Sequence, residues 1–344
     1  MRGAFGRTGL LVGGIFFLVL ILIPLLGAPG WLLNTLVFTI MYAALASSWN
    51  LVGGYAGYPS LGHVAFFGIG AYAIGLLFSK DVFGGYVPFL VLPLIGIAVG
   101  LLALPIGWVS MRTRADVFAI VTITVLFITQ TLAFNLKSIT GGAQGTSVAA
   151  PPFGVDHFDW PFYFGMAILL AIALAISLYF RHSKIGLSLA TVRADEDKAH
   201  GVGVRVTAVK LIAFGTSAGL AAMVGGVWAY YVGFIYPQFA VDPLITIGMV
   251  LMAFLGGRGT LWGPVLGAFI LVPVQEYFAQ AFGASQLYLV AYAAVFLLIM
   301  LFLPRGILPS ISDRMRRRQA AIASQASSVS EASHSAPVGE AAVK

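Results

Sequence analysis

Side chains able to do chemistry are concentrated in one stretch, RHSKIGLSLATVRADEDKAHGVGVRVTAVK, from Arg181 to Lys210. Nine Lys, Arg, Asp and Glu residues lie there: Arg181, Lys184, Arg193, Asp195, Glu196, Asp197, Lys198, Arg205 and Lys210. The sequence on either side is almost unbroken apolar. Charges of both signs in such a setting suit the docking of a soluble partner through complementary charge. A solvated loop that only joins two apolar stretches accounts for the same residues. The centre predicts one short helix carrying Arg193, Asp195, Glu196, Asp197, Lys198 and His200, ended by Gly201 and Gly203. Asp195, Glu196 and Asp197 are expected to be solvated, so reversing all three should spare membrane insertion.

Elsewhere the chemistry is sparse. Within the apolar stretches the ionisable groups are His63 and Glu276, near segment ends. Ion-driven carriers usually place Asp, Glu or His in the bilayer interior to hold the coupling ion, and this chain offers almost none. No Gly-Lys pair occurs, so there is no Walker A loop to cradle ATP phosphates. Cysteine is absent, which excludes disulfides, thiolate metal sites and cysteine nucleophiles. His157 with Asp156 and Asp159 matches no standard metal spacing. No metal site is expected, and any energy for work must come from a partner.

Two glycine clusters interrupt the apolar pattern. NLVGGYAGYPSLGHVAFFGIGAYAIG runs from Asn50 to Gly75, and LGGRGTLWGPVLGAF from Leu255 to Phe269. Glycine lets membrane helices approach closely, so packing alone explains much of this. Yet Asn50, Tyr55, Tyr58, Ser60 and His63 crowd the first cluster, and Pro59 would break a helix. Freed backbone at membrane depth is tolerated only inside protein or beside a cavity. These five residues are therefore candidates for a translocation path. The two clusters share a loose Gly-Gly…Leu-x-Gly rhythm, which hints at two inverted halves with the path between them.

The elements that must position these residues follow from composition. Hydrophobic residues make up 60% and charged ones 9%, against about 45–50% and 25% in soluble domains. The fold class is an all-α polytopic membrane protein. Windows of about 20 apolar residues give about ten spans: Leu10–Gly27, Trp31–Leu51, Val64–Phe78, Tyr86–Val109, Val117–Leu136, Phe162–Phe180, Leu211–Val232, Leu244–Leu255, Leu261–Ala281 and Leu287–Leu303. The third and eighth are short and Gly-flanked, as broken or re-entrant segments are. With the N-terminus inside, every Lys and Arg except Lys80 and Lys137 falls on the inner side, as the positive-inside rule expects. That places both termini and the polar stretch in the cytoplasm. It also explains the net charge of +7 by topology, with no need for nucleic acid. The first apolar run is long enough to be a retained helix despite its signal-like flanks. Residues 1–310 thus read as the membrane domain, with a loop at 181–210, and 311–344 as a basic and then disordered tail.

The first glycine cluster, the Thr140–Gly145 loop, TVRADEDKAHGVGVRVTAVKLIAFGTSAGLAAMVGG, FLGGRGTLWGPVLGA and LPRGI together resemble the branched-chain amino acid permeases of ABC importers, of the LivM type. The resemblance runs from about Leu33 to Ile307. It implies a bacterial inner-membrane permease subunit, not an enzyme, that works by alternating access. The implied partners are a second homologous permease, two ATP-binding cassette subunits that hold the ATP, an extracytoplasmic substrate-binding protein, an amino-acid substrate and membrane lipid. The same resemblance makes Arg193, Asp195, Glu196, Asp197, Lys198, His200, Gly201 and Gly203 the ATPase-coupling region. The general Glu-Ala-Ala…Gly signature of ABC importers is not literally present, Glu196, Ala199 and Gly201 being only its loose echo. Related permeases carry urea or short amides. An ion-coupled secondary carrier and a non-transporting scaffold are alternatives of a different class.

Overall fold

The computed structural model describes residues 2–79, 85–154, 157–282 and 306–311, with isolated positions between 290 and 301. Its chain order is α1 (Arg2–Leu25), α2 (Gly30–Asn50), a π-helical turn (Leu51–Ala56), α3 (His63–Leu77), α4 (Val87–Ser110) and α5 (Ala115–Asn135). After α5 come α6 (Lys137–Thr140), the two-residue strand β1 (Thr146–Ser147), α7 (Asp159–His182), α8 (Lys184–Ala194) and α9 (Glu196–Gly201). Then follow α10 (Val206–Val232), β2 (Phe234–Ile235), α11 (Pro237–Ala240), α12 (Pro243–Gly256) and α13 (Gly263–Phe282).

Among the described residues, six segments are long and apolar enough to cross a membrane: Gly30–Ala56, Val87–Ser110, Ala115–Asn135, Asp159–His182, Val206–Val232 and Pro237–Gly256. Two shorter apolar helices, Gly13–Leu25 and His63–Leu77, accompany them. The protein is therefore a mostly helical, polytopic membrane protein. The expected tenth span, Leu287–Leu303, and the tail at 311–344 fall almost wholly outside the described residues.

α10 is the central post. It packs chiefly on α3 and α4, while α2 lies against α7, α10, α12 and α13. Small residues permit this closeness: Gly96 and Gly100 of α4 face Gly219 and Gly215 of α10, and an added Cβ on Gly100 would come within 2.8 Å of the Gly215 carbonyl oxygen. Outward faces of α4 and α5 carry exposed apolar residues such as Leu90, Leu94, Ile97 and Ile120, as lipid-facing surfaces do. β1 pairs antiparallel with β2, Thr146 opposite Ile235 and Ser147 opposite Phe234. Ala149 N–H donates to Phe78 O at 2.8 Å, so the glycine-rich loop after α6 is fastened over the ends of α3 and α10.

The break expected near Pro59 is present. α2 widens into the π turn, Gly57 takes the left-handed conformation at φ 78°, and residues 57–62 leave the helix before α3 begins. π turns add a residue to the helical ladder and recur at functional sites. The freed backbone groups are paired from the side. Thr122 Oγ1 of α5 accepts from Leu61 N–H at 3.0 Å, Thr246 Oγ1 of α12 accepts from Val64 N–H at 3.0 Å, and Trp49 Nε1 of α2 donates to Ser60 O at 2.8 Å. That is the protein-internal satisfaction a non-helical segment in a membrane requires.

Candidate functional site

The polar stretch folds as two helices, where the sequence predicts one. α8 stops at Ala194, and Asp195 is extended; its carboxylate accepts from Lys198 N–H at 3.0 Å and caps α9. Aspartate does this well because its oxygen satisfies a helix-start N–H that has no partner within the helix. Arg193 therefore belongs to α8, while Glu196, Asp197, Lys198, His200 and Gly201 belong to α9. Gly203 turns the chain beyond α9 at φ 81°. Lys198 Nζ also lies 2.9 Å from Asp195 Oδ2. The Lys198 backbone N–H, then its ammonium, hold the Asp195 carboxyl below the usual carboxylate range; the Asp195 bond raises the Lys198 ammonium.

Two anchors tie this stretch to the broken helix. In the first, Arg193 Nη1 donates to the Gly54 carbonyl at 2.6 Å, inside the π turn. An added Cβ on Gly57 would lie 3.0 Å from Arg193 Cγ, and one on Gly259 would run into the guanidinium. Both glycines also have positive φ, so the guanidinium fits only because neither position carries a side chain. Burial first, and then nearby Arg258, lower the proton affinity of Arg193.

The second anchor centres on Lys210, in the first turns of α10 and only 1% exposed. Its ammonium donates to Glu196 Oε1 at 2.6 Å, Tyr58 Oη at 3.0 Å and Met111 O at 3.0 Å. An ammonium has three donors, and all three are used. The Tyr58 hydroxyl in turn donates to Glu196 Oε2, and the ammonium sits 4.1 Å from the Tyr58 ring centre. Burial pushes the Glu196 carboxyl up, but Lys210 and Tyr58 outweigh it and hold it below the usual range. Glu196 is thus not one of three equivalent solvated acids. Reversing it would set a cation against a buried cation, so the expectation that all three acids are solvated is corrected for Glu196.

The two glycine clusters meet through Asn50, which is 1% exposed. Its Oδ1 accepts from Gly259 N–H at 2.7 Å and its Nδ2 donates to Thr260 O at 2.9 Å. Ser60 and His63 are fully buried beyond the break. Ser217 of α10 donates its single hydroxyl proton to Ser48 O at 2.5 Å, so it can only accept from His63 Nε2, 3.0 Å away. His63 Nδ1 is then an acceptor. His63 Nδ1, Ser60 Oγ and Tyr55 Oη are buried with no hydrogen-bond partner among the described residues.

Between the anchors and the turn from α4 to α5 opens a cavity of about 440 Å³. Gly57, Tyr58, Arg112, Arg114, Arg193, Asp197 and His200 are among its walls. Near the opposite end of α10, Trp228, Phe234, Tyr236, Phe239 and Ile245 wall an apolar cavity of about 360 Å³, with Asp242 beside them. No group of three His, Asp or Glu able to hold a metal occurs among the described residues, and Asp156 of the outer-loop trio lies outside them.

Sequence reading missed Lys210 as the hub and Thr122, Thr246 and Ser217 as clamps. The one available signal was a lysine just inside the start of an apolar run, where such side chains ordinarily reach back to water. Here it turns inward.

Comparison with known proteins gives the family context. Residues 31–304 match the family model described as the branched-chain amino acid transport system permease component. The high-affinity branched-chain amino acid transport system permease protein LivM of Salmonella typhimurium is 29% identical over 307 residues, covering 81% of this chain and 70% of that relative. LivM of Escherichia coli is 28% identical over 312 residues, covering 82% and 71%. An autoinducer 2 import system permease protein, LsrC of Salmonella paratyphi B, is 28% identical over 140 residues, covering 38% and 40%. No solved structure matches.

Proposed function

The chain belongs to the family of branched-chain amino acid transport permease components, and from that premise we propose that it forms the path of an ATP-driven importer of apolar amino acids. In this reading it sits in a bacterial inner membrane with both termini in the cytoplasm. It pairs with a second permease, two ATP-binding subunits that carry the ATP, and an extracytoplasmic binding protein that delivers the substrate. The observation that carries the reading is the double anchor. α8 and α9 are the charged, partner-facing elements, and Arg193 and Glu196 fasten them to Gly54 and Tyr58 on either side of Gly57. Movement of the docking helices is thereby transmitted to the broken helix. Around the break, Tyr55, Ser60 and His63 hold buried polar atoms that need partners, as path-lining groups do when the path opens. The apolar cavity beside Trp228 and Phe239 suits an apolar side chain at the other end.

A different small polar cargo is the second reading, favoured by the similarity to LsrC over 140 residues. Both are tested with the full complex in proteoliposomes, supplied with binding protein, ATP and radiolabelled leucine. Wild type is expected to accumulate leucine with ATP. Arg193→Ala removes a charged hydrogen bond worth about 1.5–3 kcal/mol, so uptake should fall at least tenfold while ATP hydrolysis continues. ATP-driven uptake of another cargo but not leucine selects the second reading. Uptake that needs no ATP but follows an ion gradient would overturn the importer reading, and an unchanged Arg193→Ala the role of the anchor.

A further inference from the structure

The cavity between the docking helices and the α4–α5 turn carries an unbalanced charge. Of its carboxylates, Asp195 is paired with Lys198 and Glu196 with Lys210, and neither of those cations lines it. That leaves Arg112, Arg114 and Arg193 among its walls, with Asp197 the one lining carboxylate not already paired with a cation. The three arginines form no ion pair among the described residues. Arg112 instead stacks on the Trp108 ring at 3.6 Å, and Arg193 rests on a backbone carbonyl.

We infer that this cavity is a receptor for an acidic segment of the ATP-binding partner, whose carboxylates enter to meet Arg112 and Arg114. The inference rests on the importer reading above and adds a second, oppositely charged contact to the coupling helices. Its physical reason is the cost of burial. A partner that docks on α8 and α9 covers the cavity mouth, because residues 192–197 are one of its walls. Covering guanidiniums without pairing them would strip their hydration with nothing to replace it. Docking therefore requires carboxylates from the incoming surface, and arginine is suited to hold them in two parallel bonds. The volume admits one or two acidic side chains and not a folded element. An anionic lipid headgroup has the same charge but would approach from the side of Trp108 and Val109, not across the docking helices.

The test is binding of the purified ATP-binding partner to the full-length permease in nanodiscs, with Arg112→Gln/Arg114→Gln beside Arg112→Lys/Arg114→Lys. The first pair removes charge without adding acid; the second keeps charge but not the planar fork. The Gln pair is expected to weaken Kd at least tenfold and to flatten its salt dependence. The Lys pair should keep the salt dependence and lose affinity by less. Unchanged Kd and salt slope in the Gln pair overturn the proposal. So does a loss that appears only in discs containing anionic lipid, which would assign the cavity to a headgroup. If wild type captures no ATP-binding partner at all, the importer reading falls, and this proposal with it.

Discussion

Lys210→Met removes the ammonium at the hub while keeping the length of the side chain. Three acceptors then lose their donor: Glu196 Oε1, Tyr58 Oη and Met111 O. Taking one member from a buried ion pair costs about 3–5 kcal/mol, because the other charge is stranded. Glu196 keeps 31% side-chain exposure, so water recovers part of this, and the expected loss is about 2–3 kcal/mol. Glu196→Gln strands the ammonium instead, at similar cost. The double variant strands neither charge and should cost about 1 kcal/mol, so the cycle yields a coupling of at least about 3 kcal/mol. Membrane proteins seldom unfold reversibly, so the readout is an unfolding rate at fixed temperature. The chain has no cysteine, so a single one placed at fully buried Ala222 reports unfolding to a thiol-reactive dye. A loss of 2 kcal/mol corresponds to about a 30-fold faster rate if it acts wholly on unfolding. Tryptic cleavage at Lys198 and Arg205 separately reports local release of α9. Single effects that simply add, or a Lys210→Met protein with wild-type rates and cleavage, would refute the hub.

The same anchor has a pH signature. The Glu196 carboxyl is held below its ordinary 4.5, so its stabilisation is fully present above that value and lost as pH falls through the lowered one. Unfolding rates should therefore show no Glu196-dependent change between pH 8 and 6 and a rise below about 4.5 that Glu196→Gln lacks; equal acid profiles would contradict this. Asn50→Leu leaves Gly259 N–H and Thr260 C=O unpaired where water is scarce. Each orphan costs about 1–3 kcal/mol, so the dye assay should register a loss of about 2–6 kcal/mol, and a loss under about 0.5 would mean that the two glycine clusters do not depend on the bridge.

The membrane class was legible because it rests on composition, which no tertiary contact can alter. The break after α2 was legible for a related reason: Gly57 and Pro59 impose local backbone limits that hold in any fold. Helix count was less so. α3 spans only His63–Leu77, and the polar stretch divides at Asp195 because a side-chain cap competes with helix continuation. Periodicity cannot see that competition when the acid lies among other charges. The clamps were invisible in the sequence. Thr122 and Thr246 look like ordinary membrane-helix threonines, and only the fold brings them beside Leu61 and Val64, 61 and 182 residues away.

Charge was the most misleading signal, and the reason is general. A sequence shows Asp195, Glu196 and Asp197 as three adjacent acids with one shared fate. On and before a short helix they point in different directions, and the structure gives them three different surroundings. Asp195 caps α9 and holds Lys198; Glu196 is drawn inward to Lys210 and Tyr58; Asp197 remains at the cavity rim. The inward one joins α9, α10, the end of α4 and the broken helix at a single ammonium. On the importer reading proposed above, recognition of the partner falls to the outward charges and transmission to the buried pair, so the two can vary independently.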